Sequence, residues 1–488
     1  MAFVLAIDQG TTNSKALLLD EAGRIVRKAS APVGVSYPQP GWVEQSAADI
    51  WQSVQTVSRE CLAAAEGKAI AAIGISNQRE SVLIWNRRTG EPIGPSITWQ
   101  CRRSAARIAA LRTPAVEQRV QAITGLGLDP LFPAAKIGWL LDAHPEARQL
   151  AARGELCTGT IDSWLVFKLT GGKVHATDFG NASRTQLFDI VQGAWSPELL
   201  ALFDVPAAIM AEARSSNGDF GVTDGASELP AGIPIRAVMG DSHAALFGHG
   251  VRRPGAVKAT YGTGSSLMTL TDRPVTSRSG LSTTIAWRHG AHTAFALEGN
   301  ITVSAQAAAW TASILGLPDA QALTRLAETV PDNGGVYFVP ALAGLGAPHW
   351  REDARAVFSG MLLSTRPAHL ARATLEAIAL QVRDVFVAME YDAGLRLDVL
   401  NVDGGATGND LLMQLEADIL HRPLQRKAVA ELSAAGAGSM AGAALGLWGE
   451  AGPDALAALR DVVAPRANSQ WRAKLVEGWT LALRRAGA

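Results

Sequence analysis

The chain is poor in cysteine: Cys61, Cys101 and Cys157 are the only three in 488 residues. Three scattered thiols cannot build a disulfide framework, and with no CxxC or HExxH motif a structural zinc site is not expected. Charge of either sign is scarce. Lys+Arg number 44 and Asp+Glu 45, a formal net charge of −1. That balance excludes a generally basic nucleic-acid binder and a polyanionic tail. No stretch approaches 20 purely apolar residues. The longest weakly polar run, 434–449, is mostly Ala and Gly and reads as a tightly packed helix of a soluble protein. The first residues, MAFVLAIDQG, lack a basic region and turn polar at Asp8, so a signal peptide is not expected and a cytoplasmic location is. What is abundant is apolar material, 48% of residues against 18% charged, which excludes a disordered chain. At about 150 residues per domain, the length suits three domains or two large ones.

The chain opens with strand and turn signals. Phe3–Ile7 and Ala16–Leu19 are apolar runs around a Gly/Thr-rich turn, and extended character resumes at Ile25 after the turn Glu21-Ala22-Gly23. Ser46 is an expected N-cap, followed by Ile50, Val54, Val57 and Leu62 at helical spacing. Ile70–Ile75 and Val82–Trp85 read as strands, and residues 102–230 as helix-rich. A second strand-rich block is expected from Ile235 through Ala256–Tyr261, Leu267–Thr271, Thr283–Trp287 and Ala294–Leu297. Helical patterns follow at 366–393, 409–420 and 454–486. The chain therefore reads as two halves with similar openings and a cleft between them.

Three small-residue loops carry the chemistry. Asp8-Gln9-Gly10-Thr11-Thr12-Asn13-Ser14-Lys15 lies between two strands. Its backbone N–H groups, hydroxyls and Lys15 suit an anion, and Asp8 suits Mg²⁺ held through water. The segment reads equally as a polar hairpin turn. Gly262-Thr263-Gly264-Ser265-Ser266 has the same character near Asp241. Asp403-Gly404-Gly405-Ala406-Thr407-Gly408-Asn409 follows a strand; its glycines let a flat ring or a ribose lie on backbone, or it is a connector with an Asn cap. No Walker A motif is present: Gly67-Lys68 and Gly172-Lys173 are followed by Ala69 and Val174. Nor is there a protein-kinase catalytic loop.

Nine segments together resemble the FGGY family of carbohydrate kinases, and within it the glycerol kinase branch. They are DQGTTNSK (8–15), YPQPGWVEQ (37–45), ISNQRE (75–80), ITWQCRR (97–103), TDFGNASRT (177–185), GDSHAALFGHG (240–250), TYGTGSS (260–266), GLGAPHW (344–350) and VDGGATGND (402–410). They run in order nearly end to end. The stretch 356–376 resembles a further family signature, and Pro133, Lys136, Ile137 and Trp139 most of another. The resemblance implies an α/β chain with the two-domain actin/hexokinase/Hsp70-like (ribonuclease H-like) fold, nucleotide in the interdomain cleft, and halves at 1–244 and 245–488. It implies transfer of the γ-phosphoryl group of ATP, with Mg²⁺, to a primary hydroxyl of a small polyol or sugar. Asp241 corresponds to the base and Asp8 to the Mg²⁺ residue. Thr11, Thr12, Asn13, Lys15 and Thr263 correspond to phosphate contacts, and Gly405 and Asn409 to the adenosine side.

On the acceptor side, Arg79, Glu80, Trp99 and Asp241 keep the glycerol kinase pattern. Three positions depart from it: Leu131 stands at a Tyr, Ser242 at a Gln and Ser266 at a Phe. Leu131 cannot donate a phenolic hydrogen bond, and both serines are far smaller than the residues they replace. A roomier pocket for a four- or five-carbon polyol or a ketose is one expectation. The other is that His243 or Phe132 refills the space and glycerol remains the acceptor. His243 reads equally as a structural, hydrogen-bonded histidine, and Cys101 as a partly buried thiol. Some glycerol kinases are inhibited by a sugar bisphosphate through a Gly/Arg loop; the matching stretch, Leu229-Pro230-Ala231-Gly232-Ile233, has no arginine, so that control is expected to be absent. No nucleic-acid or membrane partner is expected. The resemblance leaves a homodimer or homotetramer open, with no interface signature in the sequence.

Overall fold

A computed structural model describes residues 2–449 and 451–487. Five strands form the first sheet: β1 (Phe3–Gln9), β2 (Asn13–Leu19), β3 (Ile25–Pro32), β4 (Ile70–Asn77) and β5 (Ile235–Gly240), in the order β5-β4-β1-β2-β3. β1 pairs antiparallel with β2 and parallel with β4. β1 is apolar without alternation because both faces of the sheet are covered. Phe3, Leu5 and Ile7 enter one core while Val4 and Ala6 enter another.

The second sheet has seven strands: β6 (Ala256–Tyr261), β7 (Ser265–Thr271), β8 (Ser282–His289), β9 (His292–Ile301), β10 (Val399–Gly404), β11 (Leu424–Lys427) and β12 (Leu459–Val463), ordered β8-β9-β7-β6-β10-β11-β12. β6 repeats the pairing of β1: antiparallel to the next strand and parallel to a strand reached by a long crossover. Thus Asp8 sits beside Ser76 in one sheet as Thr260 sits beside Asp403 in the other.

The helices that matter here are α1 (Ala47–Ala63), α2 (Pro133–Ala143), α3 (Phe179–Ser183), α4 (Asp241–Gly248), α5 (Ala305–Ile314), α6 (Pro367–Ala393), α7 (Asp410–Leu420) and α8 (Leu432–Ala444). Ser46 caps α1 by accepting from Asp49 N, as the spacing predicts. Cys61, rather than Leu62, completes the buried stripe after Val57.

Two expectations are corrected. Ile235–Gly240 does not open the second block; it pairs parallel with β4 and closes the first sheet. The pattern at 454–486 is not one helix. Residues 454–457 make a turn of helix, Leu459–Val463 add to the second sheet, and a helix runs only over Ser469–Arg485 with Asn468 as its cap. Pro465, with Val462 and Val463 before it, separates the two. The expected division after residue 244 falls inside α4, which carries the chain from one sheet toward the other.

α8, the Ala/Gly run, packs on α4 and the first sheet. A Cβ on Gly436 would lie 1.9 Å from Ala244 O in α4, and one on Gly74 would lie 2.3 Å from Ala437 O. Backbone touches backbone here, so only small residues fit. Gly436→Ala is expected to lower stability by about 1–3 kcal/mol through overpacking. A lower Tm in thermal unfolding checks it. Because α4 begins at Asp241, turnover should fall as well.

Candidate active site

The chemistry-bearing residues collect at the carboxyl ends of the parallel strands, where α/β sheets bind ligands. β4 ends at Asn77, and the chain then kinks. Glu80 has φ +61°, the left-handed region, and Ser81 N donates to Arg79 O at 2.8 Å. A non-glycine residue held there is strained, and such strain persists where surrounding structure enforces it. The kink turns Arg79 and Glu80 inward, and both side chains are buried.

β5 delivers Asp241 as the first residue of α4. Its Oδ1 accepts from Ser242 N at 2.6 Å and lies 3.3 Å from Arg79 Nε. The carboxylate sits deep between the sheets but keeps an open side, with 38% of its side chain exposed. Burial raises its pKa above the ordinary aspartate range; the Arg79 guanidinium opposes that rise, and Glu80 adds to it.

Sequence reasoning missed two residues that organise this centre, Glu298 on β9 and Arg184 after α3. Arg79 Nη1 and Nη2 donate to Glu298 Oε2 and Oε1 at 3.1 and 2.5 Å. Arg184 Nη1 lies 2.9 Å from Glu298 Oε2, and Arg184 Nε donates to Glu80 Oε1 at 2.6 Å. The chain Glu80–Arg184–Glu298–Arg79–Asp241 therefore alternates in sign. A single acidic residue in the apolar strand Ala294–Ile301 was the available signal for Glu298.

The other acceptor-side positions join this centre. Trp99 is 38% exposed, and its Nε1 donates to Thr11 Oγ1 at 3.0 Å. Lys136 of α2 is buried; its Nζ donates to the carbonyls of Thr98, Trp99 and Leu131 at 2.8, 3.2 and 2.6 Å. Burial pushes the Lys136 pKa down to about 7. One ammonium thus ties the Trp99 loop to the Leu131 loop. Leu131, Ser242 and Ser266 are half-buried, and Ser266 Oγ donates to Glu298 Oε1 at 3.2 Å. Phe132 is buried with its ring 5.2 Å from the Arg184 guanidinium. His243 is fully buried, and neither ring nitrogen has a protein partner among the described residues, so it is not the hydrogen-bonded histidine expected. Cys101 is wholly buried rather than partly, with Arg103 Nε 3.0 Å from its Sγ.

The first loop is braced by glutamines. Gln78 accepts from Thr11 Oγ1 at 3.3 Å and donates to Gln9 and Gln45, while Gln45 donates to Thr11 O. Thr12 is exposed, and Thr11, Asn13 and Lys15 are half-exposed. Lys15 faces Asp8 across the hairpin. In the second loop Gly262 and Thr263 are exposed, and a Cβ on Gly264 would lie 2.3 Å from Ile301 O. Gly404, at φ +95°, packs on Tyr261, which brings the third loop against the second; Gly405 next to it is exposed, with nothing within 4 Å of where its Cβ would be. Asn409 caps α7 by accepting from Leu412 N and donates to Thr324 Oγ1, so one amide N–H remains for a ligand. Beneath these loops His249 Nε2 lies 2.6 Å from Asp403 Oδ2, and Lys258 is buried without a hydrogen-bond partner among the described residues.

Two family models cover most of the chain: the N-terminal domain of the FGGY family of carbohydrate kinases over residues 3–248 and the C-terminal domain over 257–445. The chain belongs to the FGGY family. It is an ATP-dependent carbohydrate kinase, a phosphotransferase with an alcohol group as acceptor. Among curated FGGY proteins, an apulose kinase of Pectobacterium atrosepticum is 47% identical over 99% of this chain and 98% of its own length. A glycerol kinase of Alkalilimnicola ehrlichii is also 47% identical, over 100% and 99%. The crystal structure of Plasmodium falciparum glycerol kinase with ADP matches with a TM-score of 0.94 at 32% identity, covering 100% of this chain and 98% of that one. The two-sheet FGGY architecture and its actin-like fold are thereby shared with solved kinases. Among the described residues no helix is long and apolar enough to cross a membrane.

The family implies Mg²⁺, and the donor set fits a hydrated ion. Asp8 Oδ1 accepts from Ser76 Oγ at 2.6 Å, and among the described residues no side chain donates to Oδ2. Among the described residues no group of three or more His, Cys, Asp or Glu could enclose a metal. A lone carboxylate supplemented by water and nucleotide phosphates suits Mg²⁺, which dehydrates reluctantly. Burial raises the Asp8 pKa to about 6, with the Asp241 charge adding to the rise.

Proposed function

We propose that the acceptor is a polyol or ketose larger than glycerol, phosphorylated on a primary hydroxyl with Asp241 as the base. One observation carries the acceptor reading: the three departing positions are half-buried on the acceptor side, with Ser266 bonded to Glu298 and Ser242 beside Asp241, and each carries a side chain that is smaller or cannot donate. Phe132 is held against Arg184, and His243 is fully buried. Leu131, Ser242 and Ser266 then bound a pocket that is wider and differently polar.

In this reading the acceptor lies over Arg79, Glu80 and Trp99. Glu80 Oε2 accepts from one hydroxyl, since Oε1 already accepts from Arg184. Arg79 donates with N–H groups not committed to Glu298. Trp99 walls the carbon chain, its ring fixed by the bond to Thr11. As the acceptor oxygen attacks the γ-phosphorus, its proton passes to an Asp241 carboxylate oxygen and the bond to the ADP oxygen breaks. Such help from a base is worth about 10²–10⁴-fold; positioning and charge neutralisation supply most of the remainder. Thr11, Thr12, Asn13, Lys15 and Thr263 line the phosphates, and Gly405 and Asn409 face the adenosine. Asp8 would hold Mg²⁺, which when bound would neutralise charge on the phosphates. Closure of the two halves, which we place at 1–244 and 245–488, excludes water from the transfer.

Glycerol is the second reading, supported by the glycerol kinases among the relatives. ADP release with Mg·ATP against glycerol, dihydroxyacetone, erythritol, xylitol, ribitol, D-xylulose and L-ribulose separates the two. We expect a longer polyol or a ketose to exceed glycerol in kcat/KM by about ten-fold or more, the effect of roughly 1.4 kcal/mol in transition-state binding. Highest kcat/KM with glycerol would reject the larger acceptor and leave the kinase activity intact.

A further inference from the structure

The reaction as described uses Arg79, Glu80 and Asp241 but assigns nothing to Glu298. This carboxylate is completely buried on β9, far in sequence from the residues it touches. Arg79 Nη1, Arg79 Nη2 and Ser266 Oγ donate to it at 3.1, 2.5 and 3.2 Å, and Arg184 Nη1 lies 2.9 Å away as an ion-pair contact. Two guanidinia hold its pKa far below the carboxylate range despite burial. Buried ion pairs are weak evidence for stability, because apolar groups of the same volume often serve as well. What a two-pronged Arg–carboxylate contact provides is direction: it fixes the plane of the guanidinium.

That direction has a consequence at both ends of the chain of charges. With both Arg79 Nη atoms on Glu298, the Nε edge of Arg79 is left 3.3 Å from Asp241 Oδ1. With Arg184 Nη1 on Glu298, Arg184 Nε meets Glu80 Oε1 and leaves Glu80 Oε2 open. Arg79, Glu80, Arg184 and Asp241 all come from the chain before α4 ends, whereas Glu298 comes from the second sheet. We propose that Glu298 is a positioning residue for phosphoryl transfer: from the second sheet it orients Arg79 and Arg184, and through them Glu80 and the Asp241 carboxylate. The proposal rests on the reading above, in which Arg79 and Glu80 hold the acceptor and Asp241 takes the proton. Ser266 belongs to the same device. Its proton goes to Glu298, so its oxygen presents lone pairs toward the acceptor side.

The test compares full-length wild type, Glu298→Gln, Glu298→Asp and Arg79→Lys. The acceptor is the panel compound with the highest kcat/KM, or glycerol if none exceeds it. For Glu298→Gln we expect acceptor KM to rise and kcat to fall, each by about ten-fold or more, with KM for Mg·ATP within about two-fold of wild type. Glu298→Asp keeps the charge and shortens the reach, so it should fall between the two. Changes confined to Tm, with both kinetic constants near wild type, overturn the proposal and leave Glu298 a structural ion. If Glu298→Gln does not fold, Glu298→Asp decides by the same criteria; failure of both to fold also overturns it in favour of a structural role. Arg79→Lys separates the layers. If it leaves acceptor KM and kcat unchanged, the acceptor-site reading itself fails. If it impairs both while the Glu298 variants do not, only the role of Glu298 is lost.

Discussion

Asp241→Asn is expected to cut kcat by at least ~10²-fold, the lower bound of what a positioned base contributes. Nucleotide affinity should stay within about two-fold of wild type, because the phosphate loops do not depend on the proton acceptor. Single-turnover ADP release and a nucleotide-binding titration read the two quantities separately. Near-normal turnover would remove Asp241 from the base role. The burial that raises its pKa also predicts the pH behaviour. The base works only when ionised, so kcat should decline as pH falls through the folded-state pKa. That decline lies above the ordinary aspartate value of about 3.9. The sign for stability is the opposite. A raised carboxyl pKa means the folded state favours the protonated form, so the associated stability is present at low pH and lost as pH rises through the folded pKa. At neutral pH the wild-type protein carries an ionised Asp241 at a cost. The Asn variant should therefore unfold at a temperature no lower than wild type, which a thermal melt will show, and a Tm clearly below wild type would contradict the raised pKa.

The combined variant Leu131→Tyr, Ser242→Gln, Ser266→Phe is expected to shift the kcat/KM ratio toward glycerol by about ten- to 1,000-fold over the best longer acceptor. The three changes restore the residue types that the resemblance to glycerol kinases implies at these positions. The first two each return a hydrogen-bonding group, worth roughly 0.5–1.5 kcal/mol net. Phe fills volume over Glu298, which shortens the room for a longer carbon chain. It also removes the Ser266 Oγ bond to Glu298, so some loss of absolute rate is expected. The ratio is therefore the informative quantity. An unchanged ratio would mean that these positions do not set acceptor length.

Most of the fold was readable because the sheets bury both faces. Continuous apolar runs such as Phe3–Ile7, the Ser46 cap and the Gly/Thr turn after β1 are local signals, and local signals survive in one dimension. The two misreadings have the same origin. Ile235–Gly240 looks like the start of the block that follows it, since nothing local says that its partner is β4, some 160 residues earlier. The 454–486 pattern reads as helix until β11 captures Leu459–Val463 as an edge strand.

The same division runs through the site. Short contiguous motifs carry the family, the three small-residue loops and the candidates Asp8, Asp241, Arg79 and Glu80, so these were legible along the chain. The sequence also located the three departures at Leu131, Ser242 and Ser266. Folding is what puts the Phe132 ring against the Arg184 guanidinium and His243 in the interior, since which way a side chain faces depends on helices and strands that pack on it from elsewhere in the chain. Only the tertiary structure brought Glu298 to Arg79, 219 positions apart, and Lys136 to the Trp99 and Leu131 carbonyls. A buried charge is a matter of partners in space, and spacing along the chain does not encode them.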